Sequence, residues 1–531
     1  MLSSRIKVEL PKGGITVRRS GKYTTVYKVT RSYRNTKGQP TSNRIAIGRL
    51  DPLSNMLIPN DTYWEYYDDN TIETLPSYDS VRSVGASFVL GRIIASLGIT
   101  DMLDECLGKS RSALALTTVL YMAARGNVLE YITDFCEGFT LNESPLSSQK
   151  ASSLFSSITH DECMAFFKVW LAAQEAGAYL AYDVTSLSSY AKGIQDLEWG
   201  YNRDGDKLPQ INLGCYLSQR SGLPMFYVTY PGSILDKSHL SYMMAYNKEL
   251  GIKDVGFVMD KGFCSTANIQ YMSREGLDFV MGAETGHKTT VRAVDSVCQG
   301  IVSLRNRITQ GIYAKTVRGI FYGASSVMHI YHDPELAERQ RRDLWRIVES
   351  QEEKLGQIQQ LTKREARRYS SYFTIELNKD GTFSFKRDYD KIDSTAKHNG
   401  FFCLLTNTDK DSSEILAIYR RKDVIEKGFD DLKNHIDMKR MRTHTTSTTD
   451  GKLFLAFIAL ITVMHMQTRL REMMDKKSWS KDAVIAELEK IKVVTASSGR
   501  RLMNPVTKTQ RQIMEALGLN EDDLKAYIIG T

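Results

Sequence analysis

The alternation of apolar and polar residues changes period several times along this chain, and each change sets a boundary. An early stretch, KYTTVYKVTRSYR, is rich in β-branched and aromatic residues. NTKGQPTS breaks it and NRIAIGRL resumes the alternation, which predicts a β-hairpin. From about Ser83 to Gly177 the period becomes helical. FVLGRIIASLG places Val89, Leu90, Ile93, Ile94 and Leu97 on one stripe, and THDE at 159–162 fits a capping box opening CMAFFKVWLAAQEAG. From Ala178 onward strands and helices alternate. AYLAYDVTSL, LPQINLGCYLS and LPMFYVTY read as strands, SHLSYMMAYNKELG as a helix and VGFVMDKGF as a strand; STANIQYMSREG then reads as a helix and LDFVMGAE as a strand. That order predicts a mixed α/β sheet with antiparallel first strands.

Beyond Glu284 the regular order is lost for more than a hundred residues. Within them, 335–369 is a charged helix or helical hairpin whose apolar stripe runs through Leu344, Ile347 or Val348, Leu355, Ile358 and Leu361. FFCLLTN at Phe401 returns to strand character, followed by a charged helix, the apolar run Leu453–Met466 and further helical segments. On pattern, the chain divides into a basic β-rich region (1–75), a helical region suited to binding DNA (76–177) and a sheet domain in two parts (178–284 and 401–475). An insertion (285–400) splits the sheet domain, and a helical tail (476–531) closes the chain.

Composition narrows this picture only modestly. The 531 residues are 42% hydrophobic and 25% charged, with net charge +8, which suits a soluble multidomain protein and permits a polyanionic partner. The basic surplus is concentrated early, where Arg18, Arg19, Arg31 and Arg34 lie on or beside the hairpin and could meet a nucleic-acid backbone. Seven dispersed cysteines without a CxxC pair argue against a disulfide framework and a structural zinc site, and suit a reducing cytosol. The first residues lack the apolar segment of a secretory signal. Leu453–Met466 is short for a bilayer span and contains His465, so a buried core helix is expected and no membrane partner.

Candidate chemistry comes from carboxylates. Asp183 closes one predicted core strand and Asp260 another, at the sheet edge where ligands collect. A carboxylate closing a buried strand is costly unless it is paired or binds a cation, although each alone could be a turn or capping residue. On the charged segment AIYRRKDVIEKGFDDLKNH, read as one helix from Ala417 to His435, Tyr419, Lys422, Glu426 and Lys433 project within about 60° of one another. A solvated mixed-charge face gives the same pattern. Asp423 and Asp430 also lie within about 60° of Glu426, so spacing alone does not choose among these acids. Three hard oxygen ligands from separate elements suit Mg²⁺, and two such ions about 3.5–4 Å apart can drive in-line phosphoryl transfer.

Taken together, these residues resemble the DDE transposases of bacterial insertion sequences, in particular the insertion-sequence-four group. Its signature is Y-x2-R-x3-E-x6-K, and Tyr419, Lys422, Glu426 and Lys433 reproduce the spacing with Lys422 in the arginine position. YDVTS and DKGF match the first and second catalytic segments, and 285–400 occupies the place of the group's insertion. The resemblance implies an RNase H-like core, with Asp183, Asp260 and Glu426 as catalytic residues holding two Mg²⁺ ions, for which Mn²⁺ can substitute. It also implies Tyr419, Lys422 and Lys433 on DNA phosphates, with Arg421 as a further DNA contact beside the position of the missing arginine. The partners implied are double-stranded DNA, as terminal inverted repeats and target, and further copies of the chain in a dimeric or larger synaptic complex. Cut-and-paste transposition in a bacterial, nucleoid-associated setting follows, with Trp345, Tyr313 and Tyr322 as location-based candidates for holding a flipped base. The alternatives are a nuclease on the same core that does not join strands, and a catalytically inactive DNA-binding repressor.

Overall fold

The computed structural model describes residues 7–21, 23–67, 78–141, 146–174, 179–252, 255–309, 311–496 and 499–530. The chain forms two compact units, residues 1–80 with 495–500, and 81–494 with 501–531.

In the first unit the predicted hairpin is part of a four-stranded antiparallel sheet, β1 (Ile15–Ser20), β2 (Tyr23–Arg34), β3 (Pro40–Leu50) and β4 (Leu57–Pro59), followed by helix α1 (Asp61–Tyr67). Val26, Ile47, Leu57 and Tyr63 form its buried centre. Arg18 and Arg19 lie opposite Thr25 and Thr24 across β1–β2, and Arg31 and Arg34 opposite Asn43 and Pro40 across β2–β3. All four arginines are exposed.

The second unit begins within β5 (Tyr78–Ser83), after which the described residues form six α-helices: α2 (Gly85–Ser96), α3 (Ile99–Leu107), α4 (Lys109–Arg125), α5 (Ile132–Phe139), α6 (Ser148–Ser157) and α7 (His160–Ala172). Thr159 and Glu162 form the expected capping box of α7. These helices are not a separate body. Their apolar faces share one core with the sheet and with α16 (Thr446–Lys477), which packs on α2, α4 and α6. The apolar run Leu453–Met466 lies inside that helix and is buried except at His465, as expected.

The central sheet is built from β6 (Tyr179–Ser188), β7 (Gln210–Ser218), β8 (Pro224–Pro231), α8 (Asp236–Glu249), β9 (Gly256–Met259), α9 (Thr266–Arg274) and β10 (Asp278–Gly282), matching the order read from the sequence. β6, β7 and β8 are antiparallel, β9 runs parallel to β6, and β10 runs parallel to β9. After α10 (Lys288–Val297) the structure departs from expectation. β11 (Arg307–Thr309), β12 (Ile312–Phe321) and β13 (Ala324–His332) belong to the same nine-stranded sheet, of order β11-β12-β13-β16-β10-β9-β6-β7-β8. Only the remainder of 285–400 departs from the sheet: α11 (Pro334–Gln357), α12 (Lys363–Tyr369), the hairpin β14 (Phe373–Leu377) and β15 (Phe383–Arg387), and α13 (Tyr389–Ala396). Leu344, Val348, Leu355, Leu361, Phe373 and Ile392 form its own small core, whereas Ile347 is 47% exposed.

β16 (Phe401–Thr406) returns the chain to the sheet between β13 and β10, and α14 (Ser412–Arg420) and α15 (Asp423–Asp430) follow. The tail beyond α16 is not wholly helical. Two short strands, β17 (Lys492–Ala496) and β18 (Arg501–Met503), separate α17 (Lys481–Leu488) from α18 (Lys508–Ala516) and α19 (Glu521–Gly530).

Candidate active site

Asp183 lies within β6 rather than at its end, but at the point where the strand loses its parallel neighbour. Tyr182 pairs with Met259, the last residue of β9, so Asp183, still within β6, and Asp260, the residue that leaves β9, come next side by side. The Asp183 carboxylate accepts the Val184 N–H at 2.8 Å. Burial pushes its pKa up to about 6 against the opposing pull of that bond, Lys422 and Arg203, while the charge of Asp260 adds to the rise. Asp260 caps a short turn, accepting from the Lys261 N–H at 2.8 Å, and the Tyr419 hydroxyl donates to the same oxygen at 3.1 Å. Gly282, at the end of β10, leaves the space for that hydroxyl: a Cβ there would lie 3.0 Å from the Tyr419 oxygen.

The segment 417–435 is not the single helix that its composition suggests. α14 stops at Arg420, Arg421 and Lys422 form a tight turn closed by Lys422 N–H to Tyr419 O at 3.0 Å and Ile425 N–H to Lys422 O at 3.0 Å, and α15 then starts. From Asp431 to His435 the backbone widens to a π turn, closed by Ile436 N–H to Asp431 O at 2.9 Å. The cause is tertiary. Ile415, Leu416 and Ile418 pack with Val258, Val280 and Leu404, whereas Ile425 and Leu432 belong to the main core with α16, and one straight rod cannot serve both. α15 packs on β6 and β7, with Gly428 pressed against Leu217.

These joints redistribute the four signature side chains. Lys422 is buried, and its ammonium donates to Glu426 at 3.0 Å. Burial pulls the Lys422 pKa down, but the Glu426 bond and the fields of Asp260, Glu426 and Asp183 outweigh it and leave the pKa above the ordinary lysine value. Tyr419 is raised by burial first, then by Asp260, Glu426 and Asp183. All three predicted carboxylates therefore act on both Tyr419 and Lys422. Lys433 is turned elsewhere: its ammonium donates to both Asp204 oxygens, at 2.8 and 2.7 Å. Arg421 is exposed, its guanidinium bonded back to Ala417 O at 3.3 Å.

The connection from β6 to β7, residues 189–209, lies almost wholly outside the strands expected from the apolar pattern, which assigns nothing between Leu187 and Leu208. It carries Arg203, whose charge acts on Asp183 and which pairs with Asp236, as well as Asp204 and Asp206, the second holding Arg440 at 2.5 Å. The run NRDGDK, dense in charge between two apolar strands, was the available signal. Of the aromatic candidates, Tyr322 is buried and stacked on His287, and Tyr313 is half-buried in β12. Trp345 is 40% exposed beneath the Arg387 guanidinium.

Among the described residues, no three His, Cys, Asp or Glu side chains are gathered closely enough to hold a metal ion. The donor chemistry nevertheless fits a hard divalent cation. Asp183 and Asp260 offer adjacent carboxylates, Asp183 accepts only a backbone N–H among the bonds of the described residues, and burial penalises its charge until a cation offsets it. The Lys422 ammonium occupies one oxygen of Glu426, Oε1, which leaves Oε2 for such a cation.

Two half-buried acids side by side in a mixed sheet, with a third carboxylate on a helix packed across it, have the donor chemistry that metal-assisted reactions of phosphate esters use. The chain belongs to the DDE transposases: the family model described as Transposase DDE domain matches residues 178–462. Among solved structures, the piggyBac transposase synaptic complex with hairpin DNA, determined by cryo-EM, is similar over 76% of each chain at 10% identity and a TM-score of 0.36. No curated protein matches the chain.

Proposed function

We propose that this transposase serves an insertion sequence of the insertion-sequence-four type. It binds the terminal inverted repeats as a dimer or larger assembly and carries out Mg²⁺-dependent cleavage and strand transfer by a cut-and-paste route. The observation that carries this reading is the side-by-side placement of Asp183 and Asp260, with Tyr419 and Lys422 set in the field of both and of Glu426. The order β8-β7-β6-β9-β10, an antiparallel meander followed by two parallel strands, is the arrangement expected of an RNase H-like core.

Asp183, Asp260 and Glu426 would hold the ions. When bound, these supply a lowered pKa for the attacking water or 3′-hydroxyl and charge stabilisation for the leaving oxygen. The Tyr419 hydroxyl fixes the rotamer of Asp260, and Lys422 holds Glu426 while Glu426 is unligated. Lys433 and Arg421 take phosphates, Lys433 after exchanging Asp204 for the backbone of the DNA.

The test is cleavage of a duplex carrying the element's ends, with Mg²⁺ or Mn²⁺, for Asp183→Asn, Asp260→Asn and Glu426→Gln. Each is expected to lower the cleavage rate by at least about a thousandfold while end binding stays within about threefold. Wild-type cleavage in any one of them removes that residue from the site. Cleavage without joined product would instead point to a nuclease.

A further inference from the structure

The connection from β6 to β7 carries three large aromatic side chains in solvent: Tyr190 is 76% exposed, Trp199 66% and Tyr201 78%. Exposed rings on a slack loop would mean little, but this loop is pinned. Glu198 and Gln210 exchange backbone bonds of 3.1 and 2.9 Å, the Gln210 side-chain amide donates to Tyr201 O at 2.9 Å, and Gly232 N–H donates to Asp196 O at 3.3 Å. Gly200 is pressed so closely on Gly232 that a Cβ would lie 1.8 Å from its carbonyl oxygen. The residue between the two rings is thus held against the protein while Trp199 and Tyr201 stand outside.

The same loop runs directly into the candidate site. Asn202 donates to Ser188 at 3.0 Å and Arg203 to Ser186 at 3.4 Å, and the charge of Arg203 reaches Asp183. Of its four acids, Asp204 and Asp206 are occupied by Lys433 and Arg440, Glu198 accepts from the Ser233 hydroxyl and Asp196 is half-buried, while Lys192 and Lys207 are exposed. Surfaces that hold single-stranded nucleic acid combine such cations with aromatic faces, on which any base can stack.

We propose that Trp199 and Tyr201 form a stacking platform for unpaired nucleotides of the DNA strand whose phosphate enters the Asp183–Asp260 site. This rests on the DNA-transposase reading above and adds to it where the melted end is held. Bases stacked there keep the strand unpaired beside the carboxylates, and the pinned backbone means that little order is lost on binding.

The experiment uses the full chain and two fluorescent probes, an oligodeoxythymidine of about 16 nucleotides and a blunt duplex of the same length, read by anisotropy at one salt concentration. The double variant Trp199→Ala/Tyr201→Ala is expected to weaken oligothymidine binding at least about tenfold, and duplex binding several-fold less, with Trp199→Phe/Tyr201→Phe restoring most of the loss. Unchanged oligothymidine affinity, or equal loss on both probes, overturns the platform. So does a fall in sedimenting mass with oligothymidine affinity intact, which would assign the rings to a contact between copies. Metal-dependent duplex cleavage by the wild type is scored separately. Its absence sinks the reading of the site, whereas intact cleavage with unaltered oligothymidine affinity sinks only the platform.

Discussion

The Lys433 ammonium lies 2.8 and 2.7 Å from the two Asp204 oxygens, so a phosphate arriving there must displace a carboxylate. Asp204→Asn removes the competitor and is expected to tighten duplex binding several-fold with little change in the log–log salt slope, since Lys433 takes its phosphate in both proteins; Lys433→Ala should flatten the slope by about one unit. Titrations at several salt concentrations read both. Equal slopes in all three proteins would leave the pair as a structural bridge. A second buried amine behaves differently. Lys452 donates to Asn127 O, the Asn127 side-chain oxygen and Met441 O, and burial holds its pKa down at about 7, against 10.5 for an ordinary lysine. Between these values the unfolded chain binds more protons than the folded one, so the contribution of Lys452 to stability rises with pH from about 7 toward 10.5. Thermal unfolding at pH 6.5, 8 and 9.5 (round values about this window) should show wild type gaining on Lys452→Met with each step up. A constant difference would mean that the amine stays charged. None of these pairings could be read from residue order, because Asp204 and Lys433, or Asn127 and Lys452, are brought together only by the fold.

For the elements, the period of the apolar pattern identified every strand from β6 to β10 and both helices among them. What it could not show is the break at Arg421–Lys422. Ala417 to His435 contains no proline, and local propensity favours an uninterrupted helix; the interruption comes from two separate apolar cores pulling on one segment. The consequence reaches the site, since Tyr419 projects from α14 while Glu426 projects from α15, and Lys433 is carried away by the π turn. In the same way, the stripe on α11 left Ile347 and Val348 as equals until packing buried Val348. Another element boundary gives a sharper test. Gly451, in the first turns of α16, lies so close to α6 that a Cβ would sit 2.1 Å from Phe155 O, a backbone atom that cannot swing aside. Gly451→Ala is expected to cost about 1–3 kcal/mol by pushing the two helices apart. Denaturant unfolding should register it, and an unchanged midpoint would show that α6 moves freely.

At the scale of the whole molecule, the sequence pattern divides the chain into six segments, whereas the chain folds as two compact units. Residue patterns report which side of an element is apolar but not which partner covers it. The helices α2–α7 therefore read as a free-standing module although they share a core with α16 and the sheet. The insertion was legible as an interruption, yet three of its strands complete the sheet, because β16 enters between β13 and β10 rather than at an edge. The carboxylates at 183 and 260 were visible as acids ending apolar runs, but their lateral alignment was not. That alignment constrains how the gene can change. Successive residues of a strand face opposite sides of a sheet, so the four residues Gly256–Met259 can exchange side chains more freely than they can change in number. A codon gained or lost between them would turn Asp260 away from Asp183 while barely altering the hydropathy of the strand, so lineages should drift there by substitution and seldom by indel.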